Sequence, residues 1–260
     1  MAKLVKTFHP NGIPCEICYE INGVKEGEYK CYNETGHIWI IGNYYNGVRN
    51  GSQKHYTTDN ENNVYVFYDE NYYDGRKEGP SITFYQKDVI SKIENYKHDH
   101  LNGECISYYK NGALKSVHHY LNGQWEGEIL EYHMNGVLHQ KKFFQNHLLI
   151  DGHYQEYHEN GRQKKIYTLE NNLRNGLFIE FYPDGQEKLI CTYKEGQYDG
   201  EMRTYYDNGQ MRSTENYLNG KKHGSFISFY KNGQMRMTSH YNMNRRVGEY
   251  KKFRLNSETF

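Results

Sequence analysis

A glycine recurs at positions 27, 51, 79, 103, 127, 152, 176, 200, 224 and 248, and the gaps are 24 residues apart from 28 after Gly51 and 25 after Gly127. A first unit with Lys3 in the glycine's place runs from Lys3 to Glu26, and a partial unit, 248–260, closes the chain. Laying Gly200–His223 over Gly224–Val247 puts glycine under glycine at 200/224 and 209/233, and ring under ring at Tyr205/Phe229, Tyr206/Tyr230 and Tyr217/Tyr241. A fixed period of this length is the signature of a repeat architecture, in which each unit buries its apolar face only against its neighbours. The 260 residues therefore read as one array, with units starting near 3, 27, 51, 79, 103, 127, 152, 176, 200 and 224.

Each unit contains two turn signals. The first follows an aromatic pair, as in Tyr109-Lys110-Asn111-Gly112, Tyr182-Pro183-Asp184-Gly185 and Tyr206-Asp207-Asn208-Gly209. The second is Asn122-Gly123, Glu195-Gly196 or Asn219-Gly220, four residues before the next leading glycine. Asn-Gly and Asp-Gly tolerate positive φ at both central residues, so each marks a hairpin that matches strand twist. Between the turns lie β-prone runs such as Leu114–Tyr120. The expected fold is all-β: an elongated, single-layer antiparallel meander of tandem β-hairpins, two strands per unit. At ~4.8 Å per strand, ten units would extend roughly 100 Å.

The sixth place of every unit is aromatic: Phe8, Tyr32, Tyr56, Phe84, Tyr108, Tyr132, Tyr157, Phe181, Tyr205, Phe229 and Phe253. Stacked hairpins would set these rings in one column, each burying roughly 150–250 Å². A second aromatic column is expected from Tyr44, Tyr96, Tyr120, Phe144, Tyr193, Tyr217 and Tyr241, and an aliphatic one from Ile17, Ile41, Ile93, Val117, Ile166 and Ile190. The apolar places do not alternate strictly in twos, so either the hairpins carry bulges or both faces are partly covered.

The pattern G-x-x-x-x-Y-Y-x-N-G followed by Y-x-N-G-x-x-x-G, best seen in Gly103–Glu126 and Gly200–His223, resembles the MORN repeat in its 24-residue variant form. The resemblance covers essentially the whole chain. It implies an extended antiparallel sheet serving as a non-catalytic scaffold for protein–protein contact, sometimes for anionic lipid. It also implies kinship with bacterial proteins proposed as antitoxins and with proteins of large DNA viruses. The pattern is broken in Gly51–Glu78, where the first turn lengthens to Thr58-Asp59-Asn60-Glu61-Asn62-Asn63, and at Asp88 and His147, where turn glycines are missing.

Composition narrows the function classes. Mean hydropathy is −1.03, tyrosines number 28, and the formal charge is zero, so no global field favours nucleic acid. No apolar run reaches the ~18–20 residues of a membrane-spanning helix, and no secretory leader is expected. Five cysteines without regular spacing suit free thiols in a reducing, cytoplasmic compartment. The abundance of Asn, Lys, Tyr and Ile suits AT-rich coding.

Candidate chemistry is sparse. Cys15-Glu16-Ile17-Cys18 is a lone CxxC, whose thiols would point to opposite faces of a strand. His133 and His158 share a place with His9 but lack a third ligand, and they read as polar residues beside a turn. The Asp59–Asn63 loop is rich in oxygen but has neither the glycine nor the distal glutamate of a calcium loop. Glu131, Glu156 and Glu180 recur once per unit and suit a solvated ladder. No nucleophile elbow or phosphate loop is present. No catalytic, cofactor or metal site is expected, and no enzyme. A sharper signal is the basic column Lys115, Lys164, Lys188, Arg212 and Arg236, with His139 filling its gap. It could serve an anionic lipid headgroup or simply a solvated face. The sequence thus points to a scaffold contacting one or more proteins, as a structural or minor virion component of a large DNA virus. The alternatives are an anionic-lipid adaptor at a membrane surface and a bacterial antitoxin-like binder. The final Phe260 is a candidate to dock on a partner.

Overall fold

A computed structural model describes residues 1–255; Phe260 lies outside the described residues. The described residues form 28 strands joined as an antiparallel meander, with no helix. They divide into two compact units: Met1–Gly136 with Phe144–His147, and Val137–Phe143 with the chain from Leu148 onward.

One repeat shows the local logic. Gly103–Tyr108 pairs antiparallel with Leu114–Leu121, which pairs in turn with the short strand Gln124–Trp125 and then with Gly127–Tyr132. The second turn has positive φ at both residues (Asn122 51°, Gly123 81°), as the two-residue hairpin requires. The first turn does not. There Gly112 alone is left-handed, at 84°; its N–H bonds to the Tyr109 carbonyl, while the Tyr109 N–H reaches the Ala113 carbonyl. This is the longer loop in which one left-handed glycine closes the turn, so Asn111 keeps an ordinary φ.

The leading glycine does something the sequence did not reveal. Tyr19 opposes Glu26 and Cys18 opposes Tyr29, which leaves Gly27 and Glu28 without partners on the facing strand. Gly27 sits in this bulge at φ 77°, and the leading glycines from Gly51 to Gly248 all have positive φ. The period is therefore set by a kink inside a nearly continuous strand. A second bulge lies at the thirteenth place: Lys115, Lys164, Lys188, Arg212 and Arg236 each stand extra between paired neighbours, as Arg212 does between Met211 and Ser213. Two bulges per repeat explain why the apolar places failed to alternate.

The buried row is not the sixth-place column. Phe8 and Phe253 are 58% and 37% exposed. A buried residue stands three places earlier in successive repeats, at Tyr29, Gln53, Ser81, Cys105, Ile129, Tyr154, Phe178, Met202 and Phe226. They face the sixteenth place across the ladder, as in Gln53↔Glu70, Cys105↔His118, Phe178↔Cys191 and Phe226↔Ser239. The sixth place misses the row because the thirteenth-place bulge breaks the register beside it. The expected second column does flank the row. In the second unit rings run without a break from Phe178 through Tyr193, Tyr198, Tyr217 and Phe226 to Tyr241, with centroids 4.7–5.8 Å apart. Cations cover them: Arg174 lies 4.8 Å over Phe178 and Lys222 4.8 Å over Phe226.

In the first unit part of this row is ionic. Glu70, buried between Gln53 and Ser81, accepts from the Tyr72 hydroxyl at 2.8 Å and pairs with Lys77 at 2.5 Å and His55 at 3.3 Å. Burial alone would raise its pKa. The His55, Lys77 and Tyr72 donors outweigh that and hold it at about 2.

Successive repeats are tied at both turns. The Gly123 N–H bonds to the Leu101 carbonyl, and Gly196 and Gly220 repeat the bond to Arg174 and Tyr198. The carboxylate just before the leading glycine caps the next turn, as Glu26 does for the Asn46 N–H and Glu78 for the His98 N–H, both at 2.8 Å. These bonds leave few turn groups without a partner.

Two outcomes follow. Gly27→Ala meets no atom within 4 Å, so its cost is the left-handed backbone alone; urea unfolding should show a loss of about 1 kcal/mol, smaller for Gly27→Asn. Glu70, ordinarily near 4.5, stabilises the fold above that pH, and the contribution disappears as pH falls towards 2. It amounts to about 3 kcal/mol. Acid titration of Glu70→Gln should show a lower neutral stability and a flatter loss between about pH 5 and 2.

Candidate binding site

Two edges of the sheet, one at each kind of turn, carry the candidate binding groups. At the first-turn edge the seventh place reaches across to the next repeat. The hydroxyls of Tyr85, Tyr109, Tyr182, Tyr206 and Tyr230 donate to the carbonyls of Tyr108, Tyr132, Tyr205, Phe229 and Phe253 at 2.8–3.0 Å. His9 and His158 make the same bond through Nε2, to Tyr32 at 2.9 Å and Phe181 at 3.0 Å. This is the role of those two histidines, which the sequence could only class as polar. Asn11 and Asn208 add a parallel bond to Glu34 and Lys231 carbonyls.

The basic column sits on these rings. Lys115, Lys188, Arg212 and Arg236 lie 5.8, 5.9, 5.8 and 5.8 Å over Tyr109, Tyr182, Tyr206 and Tyr230 of their own repeats. All four are exposed, and Lys164, the fifth member, is half-buried. Because each stands at a bulge, it projects where an in-register residue would not. Lys188 is also paired with Glu180 at 2.8 Å. Glu180 and Glu156 are only 24% and 15% exposed and each holds a lysine, Lys165 for Glu156 at 3.2 Å. The expected solvated ladder is thus a half-buried set of ion pairs, because the fifth place shares a face with the buried row.

Other candidates stay apart. Cys18 is buried and Cys15 half-buried, both as free thiols, and burial pushes the Cys18 thiol up. Among the described residues no group of three or more His, Cys, Asp or Glu side chains could hold a metal ion. In the inserted loop Asp59 is engaged within the turn, accepting from the Glu61 and Asn63 N–H groups at 2.9 and 2.8 Å. The insertion adds two rungs, Thr57↔Tyr65 and Thr58↔Val64, so this hairpin overhangs its neighbours.

At the other edge, beside the tight turns, apolar side chains stand in water. Ile21 faces Val24, and Tyr45 faces Val48, across consecutive hairpins, and Tyr73 is 70% exposed in the third. Nothing in the periodicity marked this strip, since its members share places with polar residues in later repeats.

The MORN repeat variant model matches residues 25–46, 101–122, 174–195, 198–219 and 222–243. Each match begins in the strand before a leading glycine and ends at the tight turn. This is a MORN-variant repeat protein. MORN repeats commonly bind proteins or membrane lipid and are generally non-catalytic. No curated protein matches the chain. Among solved structures, TcdB2-TccC3-TEV matches at 12% identity and a TM-score of 0.21, over 97% of this chain and 16% of that chain. TcdB2-TccC3 matches at 11% and 0.21, over 96% and 15%, and TcdB2-TccC3-Cdc42 at 10% and 0.20, over 96% and 14%. The MORN-variant chain thus spans about a sixth of the length of these chains or less, and likenesses at these TM-scores bear on neither fold nor role. No helix among the described residues is long and apolar enough to cross a membrane.

Tyr206→Phe isolates one tie between MORN-variant repeats. It removes the 2.9 Å bond to the Phe229 carbonyl and keeps the ring under Arg212. Chemical denaturation should register a loss of about 1 kcal/mol.

Proposed function

We propose that this chain is a non-catalytic scaffold that binds and assembles other proteins. The observation that carries the reading is the apolar strip Ile21, Val24, Tyr45, Val48 and Tyr73 on consecutive hairpins, each of them exposed. A soluble sheet has no reason to keep such a strip in water, and grouped exposed apolar side chains are the usual mark of a contact surface. The tight turns beneath are fixed by the cross-repeat bonds, so the strip is held rigid and needs little ordering on binding.

We read its place of action as the cytoplasm, and in a large DNA virus as a structural or minor component of the virion. The AT-rich composition supports this reading and supports equally a low-GC bacterial antitoxin-like binder. Cross-linking in the native source separates them: a capsid-type partner supports the first, a toxin the second. In either, the double variant Tyr45→Ser, Tyr73→Ser should lose the cross-linked partner while keeping its melting temperature within a few degrees. Retention of the partner would remove the strip from the contact.

The basic column favours a second reading, an adaptor for anionic lipid. Arg212 and Arg236 present guanidinium groups on tyrosine faces in consecutive repeats, and each cation near such a surface is worth about 1 kcal/mol. Flotation with phosphatidylserine vesicles should then weaken roughly tenfold or more in Arg212→Ala, Arg236→Ala, and again at high salt.

A further inference from the structure

Along the first-turn edge the repeats differ in one respect. From Gly103 onward four repeats supply a cation from the thirteenth place to a ring of their own, through Lys115, Lys188, Arg212 and Arg236, and the two between hold His139 and Lys164 there. In the first four repeats the same bulge place holds Cys15, Trp39, Phe67 and Ser91. Beside Cys15 and Trp39 the edge opens into a cavity of about 440 Å³, walled on one side by Thr57 and Thr58 of the overhanging hairpin. Its rings are Trp39, Tyr32 and Tyr56 together with the imidazoles of His9 and His37, and its one carboxylate is Glu34. No lysine or arginine is among the described residues that line it.

The ring faces are unspent. Trp39, Tyr32 and Tyr56 make no ring–ring or cation–ring contact among the described residues, and the Trp39 indole is 53% exposed. Glu34 stands at the tip of an ordered turn, closed by Asn33 Oδ1 bonds to the Thr35 and His37 N–H groups at 3.1 and 2.9 Å, and its carboxylate has no ion-pair partner among the described residues. Three aromatic faces and a free carboxylate around a space of this size attract a cation through the ring quadrupoles and by direct charge. An arginine side chain fits best, because its flat guanidinium stacks on indole or phenol while its N–H groups reach a carboxylate.

We propose that this cavity is a seat for an arginine side chain of a partner protein, the partner supplying here the cation that later repeats supply for themselves. The proposal rests on the protein-scaffold reading but is tested apart from it.

The test is calorimetric titration of the full chain with a short acetylated arginine peptide, with its glutamate counterpart as control. Saturable binding of the arginine peptide is expected, weakened at least tenfold in Glu34→Gln and in Trp39→Leu and unchanged in Lys194→Ala, an exposed position outside both candidate surfaces. Both variant positions are exposed, so melting temperatures should stay close to the parent's; if Trp39→Leu unfolds, the isosteric Glu34→Gln decides. Failure of the arginine peptide to saturate, equal binding of the glutamate peptide, or undiminished binding by Glu34→Gln would overturn the seat. That result would leave the Tyr45–Tyr73 strip standing, since the strip is judged by its own variants.

Discussion

A sheet one layer thick has to cover its own middle. In this protein the third and sixteenth places meet across each ladder, and the only material available to shield them is the side chains alongside. Tyrosine does most of it, because its ring lies over the row while its hydroxyl reaches a carboxylate or water. Lysine and arginine complete the cover by lying flat over the rings, with stems buried and charges outward. The low hydropathy of the chain and its wealth of tyrosine are two sides of the same requirement.

The row itself varies, and its chemistry divides the array. Through Phe178, Cys191 and Met202 it is apolar and rings touch in an unbroken series. Around Gln53, Glu70 and Ser81 it is polar, and Glu70 is tolerable there only because three donors converge on it. Such a buried, paired charge is strict about register, since sliding a strand by one residue would leave it without its donors. This polar stretch underlies the one repeat whose hairpin is longer than the rest, the place where a slipped pairing would be easiest.

Much of this could be read from residues alone. The period, the meander, the tight Asn-Gly turns and the flanking tyrosine column were all legible, because turn chemistry and ring recurrence leave direct marks. The buried row was not: its places hold Tyr29, Gln53, Ser81 and Cys105 in succession, which share no chemistry, and only their geometry unites them. The bulges were legible just as a failure of alternation, so the sixth-place rings looked deeper than they are. The basic column was visible as a column, yet its bulge and the tyrosine beneath each member belong to register. The Trp39 cavity left no mark at all; it arises where a cation is missing and a neighbouring hairpin is longer by two rungs.

The ties between repeats have a fixed offset. Hydroxyl and imidazole groups reach a carbonyl 23 residues ahead, and the Gly123, Gly196 and Gly220 amides reach one 22 behind. Excising any one regular copy whole would therefore present every severed donor with an equivalent acceptor, and the seam would close on itself. A cut of any other length would leave both margins mismatched. Arrays built this way can lengthen or shorten over evolutionary time, but only in whole steps.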